Sequence, residues 1–130
     1  MYKVFIILVF CFALTATSAL AQGLSRTTPN WATGFWRLTD DEDQLGISDV
    51  VEFRADGSWI NYTPRCGTSK GQYLVHGNDL VMLREIKKGG VALVFRPNSD
   101  RTKLVFTSPR TQNNSIYTKV LSPSPCRAAE

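Results

Sequence analysis

The amino-acid sequence predicts an all-β protein, an eight-stranded antiparallel up-and-down meander closed into a small barrel. Three observations predict it. Short runs of alternating apolar residues recur from about residue 31 onward, no window sustains a helical period, and each run is followed by turn-forming residues. A meander of short strands leaves two edges with unpaired amides, and closure removes both. A two-sheet β-sandwich is the alternative, but it prefers Greek-key crossings with a longer connection than any in this chain.

The elements follow in order. After a polar leader from Gln22 to Asn30, strands run from Ala32 to Leu38, Ile47 to Arg54, Ser58 to Thr63 and Gln72 to His76. Leu80 to Glu85, Val91 to Arg96, Thr102 to Thr107 and Ser115 to Val120 complete the set. Pro29, Pro64, Pro97, Pro109, Pro123 and Pro125 all fall outside these spans, as the missing amide donor requires. Beyond residue 21, Gly34 is the one glycine inside a strand, which marks it as a place for a large neighbour to pack.

Asp56-Gly57 supplies the positive φ values of a tight hairpin between Phe53 and Trp59. Gly77-Asn78-Asp79 and Pro97-Asn98-Ser99-Asp100 are similar turns. Longer connections, Thr39 to Gly46, Pro64 to Gly71, Ile86 to Gly90 and Ser108 to Asn114, alternate with them. In a meander the tight turns therefore gather at one end, a closed base, and the longer loops at the other, an open mouth. One face of each strand supplies the interior: Trp36 and Leu38, Val51 and Phe53, Trp59, Tyr73 and Val75, Leu80 and Met82, Leu93 and Phe95, Leu104 and Phe106, and Ile116.

Upstream, Lys3 precedes an apolar run from Val4 to Leu14 and small residues ending in Ala19-Leu20-Ala21, the pattern of a secretory signal peptide over 1–21. The apolar core is shorter than the roughly 20 residues of a membrane span, which weighs against an anchor. Phe10 is too bulky to precede a lipidated Cys11. The expected product is exported, periplasmic or secreted, with no integral membrane anchor after cleavage. Removing 21 of 130 residues leaves 109, enough for one domain and one core. The net charge of +4 falls by one with Lys3, and Lys and Arg are scattered rather than interleaved with aromatics on one element. Nucleic acid is therefore not an expected partner.

Export carries the remaining cysteines, Cys66 and Cys126, into an oxidising compartment where they are expected to pair. That bond closes a loop of about 60 residues and stabilises by about 3 to 4 kcal/mol through the unfolded chain. A metal on two thiols and the distant His76 lacks further ligands, so neither metal nor cofactor is expected. The bond also requires the tail, 121–130, to return along the barrel wall to the mouth. The prolines between Leu121 and Cys126 favour an extended path of roughly 19 Å over six residues, close to a strand length.

Catalytic signals are weak. His76 sits at a strand end beside Gly77, with Asp79 on the same turn and no serine in a nucleophile-elbow context, and it reads as an exposed turn histidine. No zinc-protease, phosphate-loop or dinucleotide motif occurs, and the chain is expected not to be an enzyme. Asp40-Asp41-Glu42-Asp43 lacks the alternation and glycine of a calcium loop and reads as a solvated mouth loop. Arg65, Lys70, Lys87, Lys88 and Arg110 fall in the other mouth loops, so opposite charges meet there. They form either screened surface pairs or a polar rim that selects a partner. Asn61-Tyr62-Thr63 and Asn113-Asn114-Ser115 are glycosylation sequons, relevant only in a eukaryotic host.

Trp31-Ala32-Thr33-Gly34-Phe35-Trp36 opens the first strand with a G-x-W element, and Phe53 to Trp59 reads F-x-x-D-G-x-W. Together with the meander and the tethered tail, these segments resemble the lipocalin and calycin superfamily, and more closely the short lipocalin-like domains of bacterial exported proteins. The resemblance spans roughly Trp31 to Val120. It implies that Gly34 and Trp36 close the barrel base; the sequence departs from the family in having no clear arginine late in the last strand to stack on Trp36, Lys119 being the nearest basic residue. It also implies a binding protein for a small apolar ligand, with Trp36, Phe53, Trp59, Tyr73, Leu93 and Phe106 lining or filling the interior. The alternative is an inhibitor or immunity-type module that binds a toxin or cell-wall hydrolase through the charged rim. A lumen of several hundred Å³ favours the first reading and a solid core the second.

Overall fold

The computed structural model describes residues 28–44, 49–86 and 89–129. The expected signal peptide, most of the polar leader, the start of the second expected strand, and Lys87 and Lys88 lie outside these residues.

Eight strands pair antiparallel in chain order, and the last pairs with the first, so the sheet closes into a barrel. They are β1 (Gly34–Asp41), β2 (Val50–Phe53), β3 (Ser58–Tyr62), β4 (Thr68–His76), β5 (Asp79–Ile86), β6 (Gly89–Pro97), β7 (Lys103–Thr107) and β8 (Asn114–Val120). All eight expected strands are present, and the meander order is the expected one. Turns at Arg54–Gly57 and Gly77–Asn78 and the 98–102 loop lie at one end, the base.

Boundaries differ in an instructive way. β1 continues to Asp41, so Asp40 and Asp41 belong to a strand rather than to a mouth loop. β4 starts at Thr68, which puts Lys70 and Gly71 in the sheet. Thr68, Ser69 and Lys70 are drawn into extended structure by Tyr62, Asn61 and Ile60 of β3, a case of pairing overriding weak strand propensity. The β5–β6 link is two residues long, not a long loop. Pro97 falls inside β6, as its last residue opposite Leu104, where the loss of one amide costs least.

The interior is filled from the base. Trp36, Phe53, Trp59, Leu80 and Leu104 are fully buried, and Phe95, Met82, Tyr73 and Val51 join them in one cluster. Trp31 to Thr33 plug the lower end: Ala32 is fully buried and its carbonyl accepts the Trp36 indole N–H at 3.0 Å. The Lys119 ammonium lies 5.2 Å from the centre of the Trp36 ring and donates to the Trp31 carbonyl at 2.7 Å, sealing the base. Two expected interior residues are corrected. Ile116 pairs with Val105 and leaves the cluster, while its neighbour Tyr117 packs edge-on against Phe95 at 5.6 Å. Leu38 is half-buried and outside the cluster.

The large neighbour expected at Gly34 packs instead at Gly71. A Cβ on Gly71 would stand 2.9 Å from the Trp59 ring and 2.5 Å from the Leu83 carbonyl oxygen. Gly34 has φ +111°, and a Cβ there would meet the Lys119 side chain only at 3.6 Å.

Cys66 and Cys126 form the expected disulfide. The tail leaves Val120 at the base, ends in one 3₁₀ turn (Pro125–Ala129), and reaches the β3–β4 loop at the opposite end. It covers the outer wall of β1 to β3, where Phe35, Glu52 and Ile60 form one cross-strand row. Cys126 packs with Ile60 and Tyr62 in a second apolar cluster. Glu52, buried in this layer, accepts from Tyr62 Oη at 2.9 Å and from Arg54 at 3.2 Å, and Arg127 of the tail stands 3.4 Å away. No helix among the described residues is long and apolar enough to cross a membrane.

Candidate functional site at the barrel mouth

Above the packed base the barrel holds a recess of about 140 Å³. Its floor is apolar: Val51, Trp59, Met82, Leu93 and Phe95. Its wall turns polar toward the mouth, with Asp49, Asn61, Ser69, Arg84 and Tyr117. Inward positions alternate along each strand, so Asp49 shares a face with Val51, Asn61 with Trp59, Arg84 with Met82 and Tyr117 with Lys119.

A bulge in β1 brings a second carboxylate to this end. Leu38 pairs with Tyr117, but the register then slips by one, so that Asp40 faces Ile116 and Asp41 faces Ser115. The slip exchanges the two aspartates between faces, and Ser115 Oγ donates to Asp41 at 3.0 Å. The Tyr117 phenol, between these acids, is pushed up to about 12, first by burial and then by the charges of Asp49 and Asp41.

Gly71 makes the floor possible. β4 and β5 are paired only from His76/Asp79 to Gln72/Leu83 and part above that point. The Trp59 indole reaches across β4 at Gly71 and donates to the Leu83 carbonyl at 3.0 Å.

The rim residues named from the sequence are not gathered into one charged ring. Asp43 accepts from Asn113 at 2.6 Å and from Thr111 at 3.1 Å, and Glu42 accepts from the Asn114 amide at 2.6 Å. The acidic run thus holds the β7–β8 loop through neutral partners, and none of these bonds comes from Arg65, Lys70 or Arg110. Arg65 lies exposed in the β3–β4 loop and Arg110 in the β7–β8 loop, while Lys70 is exposed on β4. Asn61 and Asn113 of the two sequons are both engaged, with Asp49 and Asp43. His76 is exposed where β4 turns into β5. No group of three metal-ligating side chains occurs among the described residues.

Sequence reasoning missed Asp49, Ser69, Arg84 and Tyr117. Inward alternation from Val51, Met82 and Trp59 could have found Asp49, Arg84 and Asn61, whereas Ser69 and Tyr117 depend on pairings that no local pattern reveals. No protein-family model matches this chain, and no curated protein matches it.

Proposed function

We propose that the chain is a non-enzymatic, exported, lipocalin-like binding protein whose recess takes a compact ligand with an apolar part. The observation that carries the reading is the recess itself, an apolar floor under convergent polar groups at the barrel mouth. Its size suits a ligand much smaller than a lipid. Pockets for drug-sized ligands span roughly 300–1,000 Å³, and the volume below is occupied by Trp36, Phe53 and Leu104. The disulfide supports export, because such bonds persist in oxidising compartments.

The test is native mass spectrometry of protein purified from its own host, with Leu93→Trp as the control. The expected result is a retained small molecule that the variant, with its recess filled, does not retain. A variant that retains it equally well would remove the recess as the site.

A second reading, a module that binds another protein, is favoured by two observations: the core below the recess is packed solid rather than holding a lumen of several hundred Å³, and apolar side chains stand exposed on one hairpin. Leu83, Val91 and Val94 are exposed on and beside the upper β5–β6 hairpin, which flanks a shallow concavity of about 740 Å³. It predicts that Leu83→Asp and Val94→Asp weaken association with a co-purified protein by about tenfold or more. Unchanged association in a pull-down would dismiss it.

A further inference from the structure

We propose that the recess selects a protonated amine, with Asp49 as its counter-ion; the proposal rests on reading the recess as the ligand site. Asp49 immediately precedes β2 and lines the cavity. Its Oδ1 is cut off from solvent and has no hydrogen-bond partner among the described residues, and its Oδ2 accepts one long bond, 3.4 Å, from Asn61. Asp49 is part-buried, yet this inner oxygen lacks the donors that a carboxylate oxygen away from water ordinarily gathers, because unpaired charge there is costly. Arg84 lines the same recess without an ion pair to Asp49. It is exposed, on the part of β5 that has left β4.

The surroundings also favour a cation. Asp41 presents a second carboxylate on the neighbouring strand, and the raised Tyr117 phenol stays neutral between the two acids. Asn61 and Ser69 offer acceptor oxygens along the same wall. Volume sets the rest of the ligand. A cavity of about 150 Å³ takes up benzene, so a recess of about 140 Å³ admits an ammonium on an apolar body of four to six carbons.

The experiment compares three probes of equal length, butylammonium, butan-1-ol and butyrate. Each is titrated into the full-length mature protein and followed by the NMR shift of the Trp59 indole N–H. Butylammonium is expected to bind about tenfold or more tightly than butan-1-ol, with butyrate weakest. Asp49→Asn should lower butylammonium to the level of the alcohol and leave the alcohol unchanged. Equal affinity for ammonium and alcohol in the wild type, or a preference for butyrate, overturns the amine assignment while leaving the recess as a ligand site. That comparison needs no variant. If none of the three probes moves the indole resonance, the recess reading itself falls and the amine proposal with it.

Discussion

At Gly71 a single hydrogen stands where a side chain would, and the Trp59 indole crosses β4 there to reach Leu83. Gly71→Ala should therefore cost about 1 to 3 kcal/mol through overpacking, measured by urea denaturation, because the clash is with a backbone oxygen and a buried ring. Gly71 was illegible in the sequence because it lies in a polar run, Thr68 to Gln72, that reads as a loop until β3 is placed beside it. Trp36, by contrast, was legible from alternation alone, and Trp36→Ala should cost about 3 to 5 kcal/mol. The tyrosines make a pH prediction. Tyr73 and Tyr117 are both pushed up from 10 to about 12, chiefly by burial. The folded chain holds protons that the unfolded chain releases above pH 10, so their stabilisation is complete below pH 10 and is lost as pH rises toward 12. Urea melts from pH 9 to 11 should show that fall, and Tyr117→Phe should reduce it.

Among the elements, the acidic run and the C-terminal tail behave as fasteners. Asp43 bridges to Asn113 and Thr111, and Asp41 to Ser115, so reversing either charge should lower stability by about 1 to 2 kcal/mol. Asp40, exposed on the other face of β1, should tolerate Lys with no measurable change in Tm. The run was legible as acidic but not as a latch, because the one-residue bulge in β1 leaves no local signature. The tail's tether was legible, since the two cysteines outside the expected signal peptide have one pairing. What the tail covers was not: Glu52 alternates into a wall that looks solvent-facing until Arg127 and Cys126 lie over it. Cys126→Ser should cost about 3 to 4 kcal/mol, and it should raise hydrogen exchange at Ile60 and Tyr62 more than at Leu104.

For the whole molecule, strand number, order and closure were readable because hydrophobic period and turn chemistry act locally. The recess was not, because its residues come from strands 2, 3, 4, 5, 6 and 8 and meet only through register. The central claim is that the barrel is solid below a compact recess. The most direct test is a chain-length series of straight-chain amphiphiles, from four to sixteen carbons, titrated by calorimetry against the protein from Gln22 onward. Affinity should peak near four to six carbons and fall beyond, since longer chains have no cavity to enter. Affinity that instead keeps rising to twelve or more carbons, by about 0.8 kcal/mol for each added CH₂, would mean that the barrel opens into a long apolar lumen and would contradict the account.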